Sequence, residues 1–249
     1  MANFLFKKSF QLKTFKPIVY DDLWGKRGVF STIRVIQNHN YILLNDHIKN
    51  INSSLKKLNI NFVLSEQKLI RLLLPLFSKI DWNDYLFRVA INSKIISISL
   101  RKRLEPDKNF HAILFSYQRS KSSLKNLYYK LILKKLFLIN TQKKEIILFK
   151  NNLILEGCTT NILCIYNKII HIPKNNFYKG TTMSYLLEKT KRVTKKINIS
   201  IHELSKFDEI LLVGSGKGVI SLQSINEIDW KPRSNLIYKE LLGIYNKLL

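Results

Sequence analysis

The 249-residue sequence predicts an α+β fold in two domains. Three observations carry that expectation. Short runs rich in Val, Ile, Phe and Tyr alternate with segments whose apolar residues recur every three and four positions. The stretch 116–123 is polar apart from Tyr117 and separates two halves of similar length. A hydrophobic fraction of 46% is enough for a core in each half and excludes intrinsic disorder. The expected domains are residues 1–115 and 124–249, joined by the linker 116–123.

Taken in order, residues 28–35 form a β-rich run, and a polar turn at 37–40 returns to a strand at 41–44, so a hairpin is expected. Residues 46–58 carry Ile48, Ile51, Leu55 and Leu58 on one face, an amphipathic helix with Asp46 as its cap. A second helix is expected over 65–77, then strands at 85–90, 95–100 and 110–115. After the linker, Leu127, Leu131 and Leu138 predict a helix over 124–138. Strands follow at 145–150, 152–155, 162–166 and 168–172, and a helix at 183–196 whose Lys189–Lys196 run reads as a solvated basic face. Strands at 209–213 and 219–222 flank a glycine-rich turn, and a helix over 234–248 closes the chain.

The net charge of +25 invites a polyanion partner. The charge comes from 33 lysines against 9 arginines, with 3 alanines, while Asn and Ile abound. That skew is the mark of AT-rich coding; nucleic-acid readers favour the arginine fork. Nucleic acid is therefore not the expected partner. Cys158 and Cys164 have neither metal nor disulfide spacing and fit a reducing compartment, a bacterial cytoplasm or an organelle stroma. Cys164 reads as a small core residue. No apolar run reaches the ~18 residues of a membrane span. Residues 1–10 lack a signal-peptide cleavage pattern, and a short transit segment stays open. The five histidines show no metal spacing, so no metal is expected.

Chemistry concentrates in three places. Glu156-Gly-Cys-Thr-Thr-Asn161 places an acid before a buried-strand pattern in a chain poor in acids. Lys179-Gly180-Thr181-Thr182 opens a helix, whose free N–H groups favour a phosphate. Gly214-Ser215-Gly216-Lys217-Gly218 turns after a strand, where successive N–H groups and the Ser215 hydroxyl make an anion nest. One carboxylate and two phosphate cradles suggest a phosphorylated cofactor.

With these motifs in hand, the chain resembles the class IV pyridoxal-phosphate enzymes, the family of branched-chain and D-amino-acid aminotransferases and aminodeoxychorismate lyase. The resemblance runs through Gly28-Val-Phe-Ser-Thr-Ile-Arg-Val35, His47-Ile-Lys-Asn50, Leu124-Lys125-Asn-Leu-Tyr-Tyr129, Glu156–Asn161, Lys179-Gly-Thr-Thr182 and Val213-Gly-Ser-Gly-Lys-Gly-Val219, in that order. It implies a two-domain fold with a small α/β sandwich, an open barrel-like second domain, pyridoxal 5'-phosphate between them, and a homodimer. It implies that Lys125 holds the cofactor as a Schiff base, with Lys121 and Lys130 its nearest rivals. Glu156, 31 positions later, would face the pyridine nitrogen. Thr181, Thr182, Ser215 and Gly216 would hold the phosphate and Tyr129 the ring oxygen, although Tyr128 and Tyr129 also read as core aromatics. Asn161 reads as a turn-stabilising residue and His47 as a structural one. Three departures stand out. Asn50 replaces the arginine that grips the phosphate, Met183 replaces a turn arginine, and Asn92-Ser93-Lys94 replaces a glycine-containing loop. Asn50 implies a weaker hold on the cofactor. The short chain implies the lyase branch, acting on a small amino substrate, 4-amino-4-deoxychorismate, to give 4-aminobenzoate and pyruvate. An aminotransferase of the same family and a basic non-catalytic protein stay open.

Overall fold

The computed structural model describes residues 4–37, 40–73 and 83–249. The chain groups into two compact units whose sequences interleave: Met1–Arg103 with Leu124–Tyr129, and Leu104–Ser123 with Lys130–Leu249. The 116–123 stretch, expected as a linker, belongs to the second unit. Leu124–Tyr129, expected to open a helix, belongs to the first.

The first unit is a six-stranded antiparallel sheet in the order β2-β1-β6-β5-β3-β4. Its strands are β1 (Phe4–Gln11), β2 (Pro17–Ile18), β3 (Val29–Ile36), β4 (Asn40–Tyr41), β5 (Asp84–Ile91) and β6 (Ile95–Lys102). Alternation sets the buried face: Val29, Ile33 and Val35 of β3 join Tyr85, Phe87, Val89 and Ile91 of β5 in one core. Helices α1 (Leu44–Lys57) and α2 (Glu66–Leu73) close that core with Ile48, Ile51, Leu55 and Leu69. The strand expected to reach residue 44 stops at Tyr41, where Leu43 turns through a left-handed φ of 55° into α1. The expected turn residues 38 and 39, and the continuation of α2 past Leu73, lie outside the described residues. β1, which the sequence reading passed over, pairs with β6 along its length.

The second unit is an eight-stranded mixed sheet in the order β12-β11-β10-β13-β14-β7-β8-β9. These are β7 (Phe110–Ser116), β8 (Lys144–Lys150), β9 (Leu153–Gly157), β10 (Asn161–Tyr166), β11 (Ile169–Pro173), β12 (Thr194–Ile197), β13 (Glu209–Gly214) and β14 (Gly218–Ile225). Period-two alternation splits β10 and β13 between two cores. Ile162, Cys164, Ile210 and Leu212 point to one, with Phe110, Phe207 and Trp230. Leu163, Ile165, Leu211 and Val213 point to the other, under α4 (Thr181–Lys189) and α5 (Leu236–Asn246). The edges of this sheet meet: Leu153 of β9 bridges Ser200 just past β12, and Ile154 N–H donates to Ile199 O at 2.8 Å. That contact curls the sheet toward a barrel.

Two helix expectations need correction. α3 runs only over Lys130–Phe137, and its Leu131 is exposed rather than packed. Before it, the backbone groups of Leu124–Tyr129 are taken by distant partners: Phe30 N–H donates to Lys125 O, Leu127 N–H to Gly28 O and Gly25 N–H to Leu127 O. A segment whose amides are so engaged cannot be helical. Likewise α4 ends at Lys189, and the basic run beyond it becomes β12, an edge strand with Lys195 and Lys196 exposed. Among the described residues no helix is long and apolar enough to cross a membrane.

Candidate functional site

Lys125 and Tyr129 lie in the first unit; Glu156, Thr181, Thr182, Ser215 and Gly216 lie in the second.

In the first unit Lys125 sits on the extended segment laid against β3, where Asn126 bridges Val29. Gly28 permits this approach, because a Cβ there would lie 2.7 Å from Leu127 Cδ1 and 2.4 Å from Ile91 O. Lys125 is half-buried, whereas its rivals Lys121 and Lys130 are exposed. Its Nζ stands 5.1 Å from the centre of the Phe30 ring. Tyr129 is buried and meets the same ring edge-on at 5.1 Å, with Trp24 beside both. Tyr129 thus belongs to an aromatic cluster whose Phe30 ring also faces Lys125 Nζ. Arg88 of β5 covers Trp24 at 3.8 Å and donates Nη2 to Asp22 O at 2.8 Å. Its Nε is buried and has no hydrogen-bond partner among the described residues. Burial lowers its pKa to about 10, against the opposing pull of Tyr20 and Asp22. An under-satisfied guanidinium of this kind is a ready partner for an anion. His47 is buried on α1 with Nδ1 2.7 Å from Ser31 Oγ. Burial, aided by the charge of Lys125, pushes its pKa down to about 3, so the ring is neutral. Asn50 follows one turn later and is half-buried.

In the second unit Glu156 is the penultimate residue of β9 and is 4% exposed. Arg119, from the stretch expected to be a linker, grips it with both arms of its guanidinium, Nε to Oε1 at 2.6 Å and Nη2 to Oε2 at 3.0 Å. Sequence reasoning missed Arg119. The signal was there: one of only nine arginines, in a polar stretch six positions before Lys125. The pair is buried on both sides, so its charge is compensated and its geometry fixed. The Tyr178 N–H adds a third contact to Glu156 at 3.2 Å.

Asn161, which opens β10, links this carboxylate to the next element. Its Nδ2 donates to Tyr178 O at 2.5 Å and its Oδ1 accepts from Gly180 N–H at 2.9 Å. Gly180 is the N-cap of α4 and makes no side-chain cap, so Thr181 and Thr182 begin the helix, both buried. Across the sheet Asn161 pairs with Val213, which places the Gly214–Gly218 turn beside the Gly157–Thr160 turn. Ser215 and Gly216 at its tip are half-buried. Lys217 N–H closes the turn on Gly214 O, and the Lys217 ammonium leans away to Thr141 O. Glu156, the start of α4 and this turn therefore share one end of the sheet. A buried carboxylate beside two N–H-rich turns fits a group that carries a basic ring nitrogen at one end and a phosphate at the other.

Comparison with known proteins gives the same direction. The family described as amino-transferase class IV matches residues 28–225. No curated protein sequence matches the chain. In fold it is similar to a hypothetical aminotransferase of Mycobacterium tuberculosis in its PLP-bound form, at 13% identity and a TM-score of 0.78 over 97% of this chain and 98% of that one. It is also similar to a putative 4-amino-4-deoxychorismate lyase of Legionella pneumophila, at 18% identity and 0.74 over 89% and 91%. A branched-chain aminotransferase of Thermoproteus uzoniensis with norvaline gives 15% and 0.79 over 96% and 93%. At these identities the likeness is one of fold.

Proposed function

The chain belongs to the class IV amino-transferase family, whose members are pyridoxal-phosphate-dependent enzymes, and on that premise we propose that it is a 4-amino-4-deoxychorismate lyase. The observation that carries the cofactor part of the reading is the buried Glu156 carboxylate, fixed by Arg119 at the same end of the sheet as two N–H-presenting turns. Bound pyridoxal phosphate supplies an electron sink joined to the substrate amine.

In this reading Glu156 would hold a proton on the ring nitrogen, and Arg119 aims the Glu156 carboxylate through its two-armed contact. The N–H groups at the start of α4, with the Thr181 and Thr182 hydroxyls, share the phosphate with Ser215 and the Gly216 N–H. These second-unit groups are backbone dipoles and hydroxyls without a formal charge, and they would hold a phosphate by N–H and O–H donation. Lys125 Nζ removes the proton from the substrate carbon that bears the amine. The enolpyruvyl group then leaves, takes up a proton and becomes pyruvate, while the ring becomes aromatic as 4-aminobenzoate. Arg88, with its unsatisfied Nε, is suited to a substrate carboxylate.

The β5–β6 connection is a tight turn in which Asn92 Oδ1 accepts from Lys94 N–H at 2.8 Å and Ile95 N–H at 2.7 Å, where the resembled family often has a glycine-containing loop. Homodimer assembly and a cytoplasmic location belong to the same proposal, the latter in keeping with two buried free cysteines. Incubating the pure, cofactor-loaded protein with 4-amino-4-deoxychorismate should release pyruvate and 4-aminobenzoate in equal amounts. Transamination of branched-chain keto acids without that release would overturn the lyase assignment in favour of the aminotransferase.

A further inference from the structure

A second acid is buried close to Glu156, and the chemistry described so far does not use it. Glu145, on β8, is fully buried. Among the described residues no cation pairs with it. Its Oε1 accepts from the Ile146 N–H at 3.0 Å. Its Oε2 accepts from the Thr159 hydroxyl in a short hydrogen bond and from the Thr160 hydroxyl at 3.4 Å. A buried carboxylate held only by neutral donors costs stability compared with an apolar side chain of similar size. Its surroundings show what the acid secures.

The β8–β9 ladder sets Ile147 opposite Gly157, and Cys158 N–H continues it by donating to Ile146 O at 2.8 Å. Glu145 therefore lies directly beneath the turn that joins β9 to β10. Gly157 N–H donates to Thr160 O at 3.0 Å, which closes the turn. A Cβ at Gly157 would sit 2.2 Å from Thr160 Oγ1 and 3.2 Å from Glu145 Cγ, so glycine is what lets the acid and the hydroxyl come this near the backbone. Glu156 immediately precedes the turn and Asn161 immediately follows it. One is the carboxylate assigned to the ring nitrogen, and the other holds the Gly180 N–H at the start of α4.

We propose that Glu145 is a positioning residue: through the Thr159 and Thr160 hydroxyls it locks the Gly157–Thr160 turn and so fixes the direction in which Glu156 presents its carboxylate. The inference rests on the assignment of Glu156 to the cofactor nitrogen. Both Glu145 oxygens accept hydrogen bonds, whereas the amide of a glutamine would turn a donor NH2 toward one of these donors. That change loosens the turn without opening a cavity.

The test measures equilibrium binding of two probes to purified apo-protein: pyridoxal phosphate, and 1-deazapyridoxal phosphate, in which C–H replaces the ring nitrogen. Glu145→Gln should weaken pyridoxal phosphate by about tenfold, the usual size of an outer-shell effect, and leave the deaza analogue unchanged. Equal weakening of both probes, or of neither, overturns the inference, because a merely structural role does not distinguish the ring atoms. Thr159→Val, which removes one donor at constant volume, should give the same selective loss in smaller measure. It decides the matter if Glu145→Gln does not fold, and a Thr159→Val protein that binds both probes like wild type also overturns the inference. Wild-type protein that binds neither probe defeats the cofactor-site reading itself, and this inference with it.

Discussion

At the scale of single residues, the site is built by burying charge where a partner or a hydroxyl awaits it. Arg119 and Glu156 lie 37 positions apart and were read separately, one as part of a solvated linker and one as the key acid. Polarity marks a linker only when the polar groups face water, and in the fold their charges cancel out of water. The acid and the glycine turns stand out in sequence because each has a local signature, whereas Lys125, one of 33 lysines, is marked through the family resemblance. The arginine's role depends on a contact that no local window contains. His47 provides a residue-scale prediction. In the unfolded chain it takes up a proton below its ordinary pKa of 6.5, whereas in the fold it stays neutral down to about 3. The unfolded state therefore binds more protons between those values. The stability contributed by the neutral ring is complete above pH 6.5 and is lost as pH falls toward 3, by up to about 1.4 kcal/mol per pH unit. Urea unfolding at pH 7, 5.5 and 4.5 should show wild type losing stability faster than His47→Gln. Parallel losses in the two proteins would remove His47 as the cause.

At the scale of elements, propensity located most strands and helices but misjudged those whose hydrogen bonds go elsewhere. Residues 124–129 have a helical pattern, yet their amides are claimed by residues 25–30, a pairing across about a hundred positions. The tail of the predicted 183–196 helix is β-strand because Thr194 to Ile197 can pair with β11, and Val193 and Thr194 are β-branched. α5 shows the reverse dependence, a helix that relies on a strand. It has no acid in its first turn, and its N-cap Asn235 makes no side-chain cap. The missing cap comes from Glu209 on β13, which accepts from Ile237 N–H at 3.0 Å, Tyr238 N–H at 2.7 Å and Ser234 Oγ at 2.9 Å. Glu209→Ala should strand two helix N–H groups and lower unfolding stability by about 2–3 kcal/mol. A loss below about 0.5 kcal/mol, within the range of surface substitutions, would show that water replaces the cap at no cost.

At the scale of the whole molecule, the order of motifs was more informative than any one of them. Six weak signatures in family-like sequence predicted the fold class, and the two sheets with their covering helices have that class. The net charge said little, because lysines spread over the surface are compatible with almost any function. What the sequence left hidden was the interleaving of the two units and the buried acids and arginine that stiffen the site, all products of long-range contact. The proposed function depends on one covalent step, the attachment of the cofactor to Lys125. The direct measurement is to load the pure protein with pyridoxal phosphate, fix the bond with borohydride and map the pyridoxyl group by peptide mass spectrometry. The account predicts the modification on Lys125, with the visible absorption band of the bound cofactor lost in Lys125→Ala and kept in Lys121→Ala. A pyridoxyl group on Lys121, Lys130 or spread among surface lysines would contradict it.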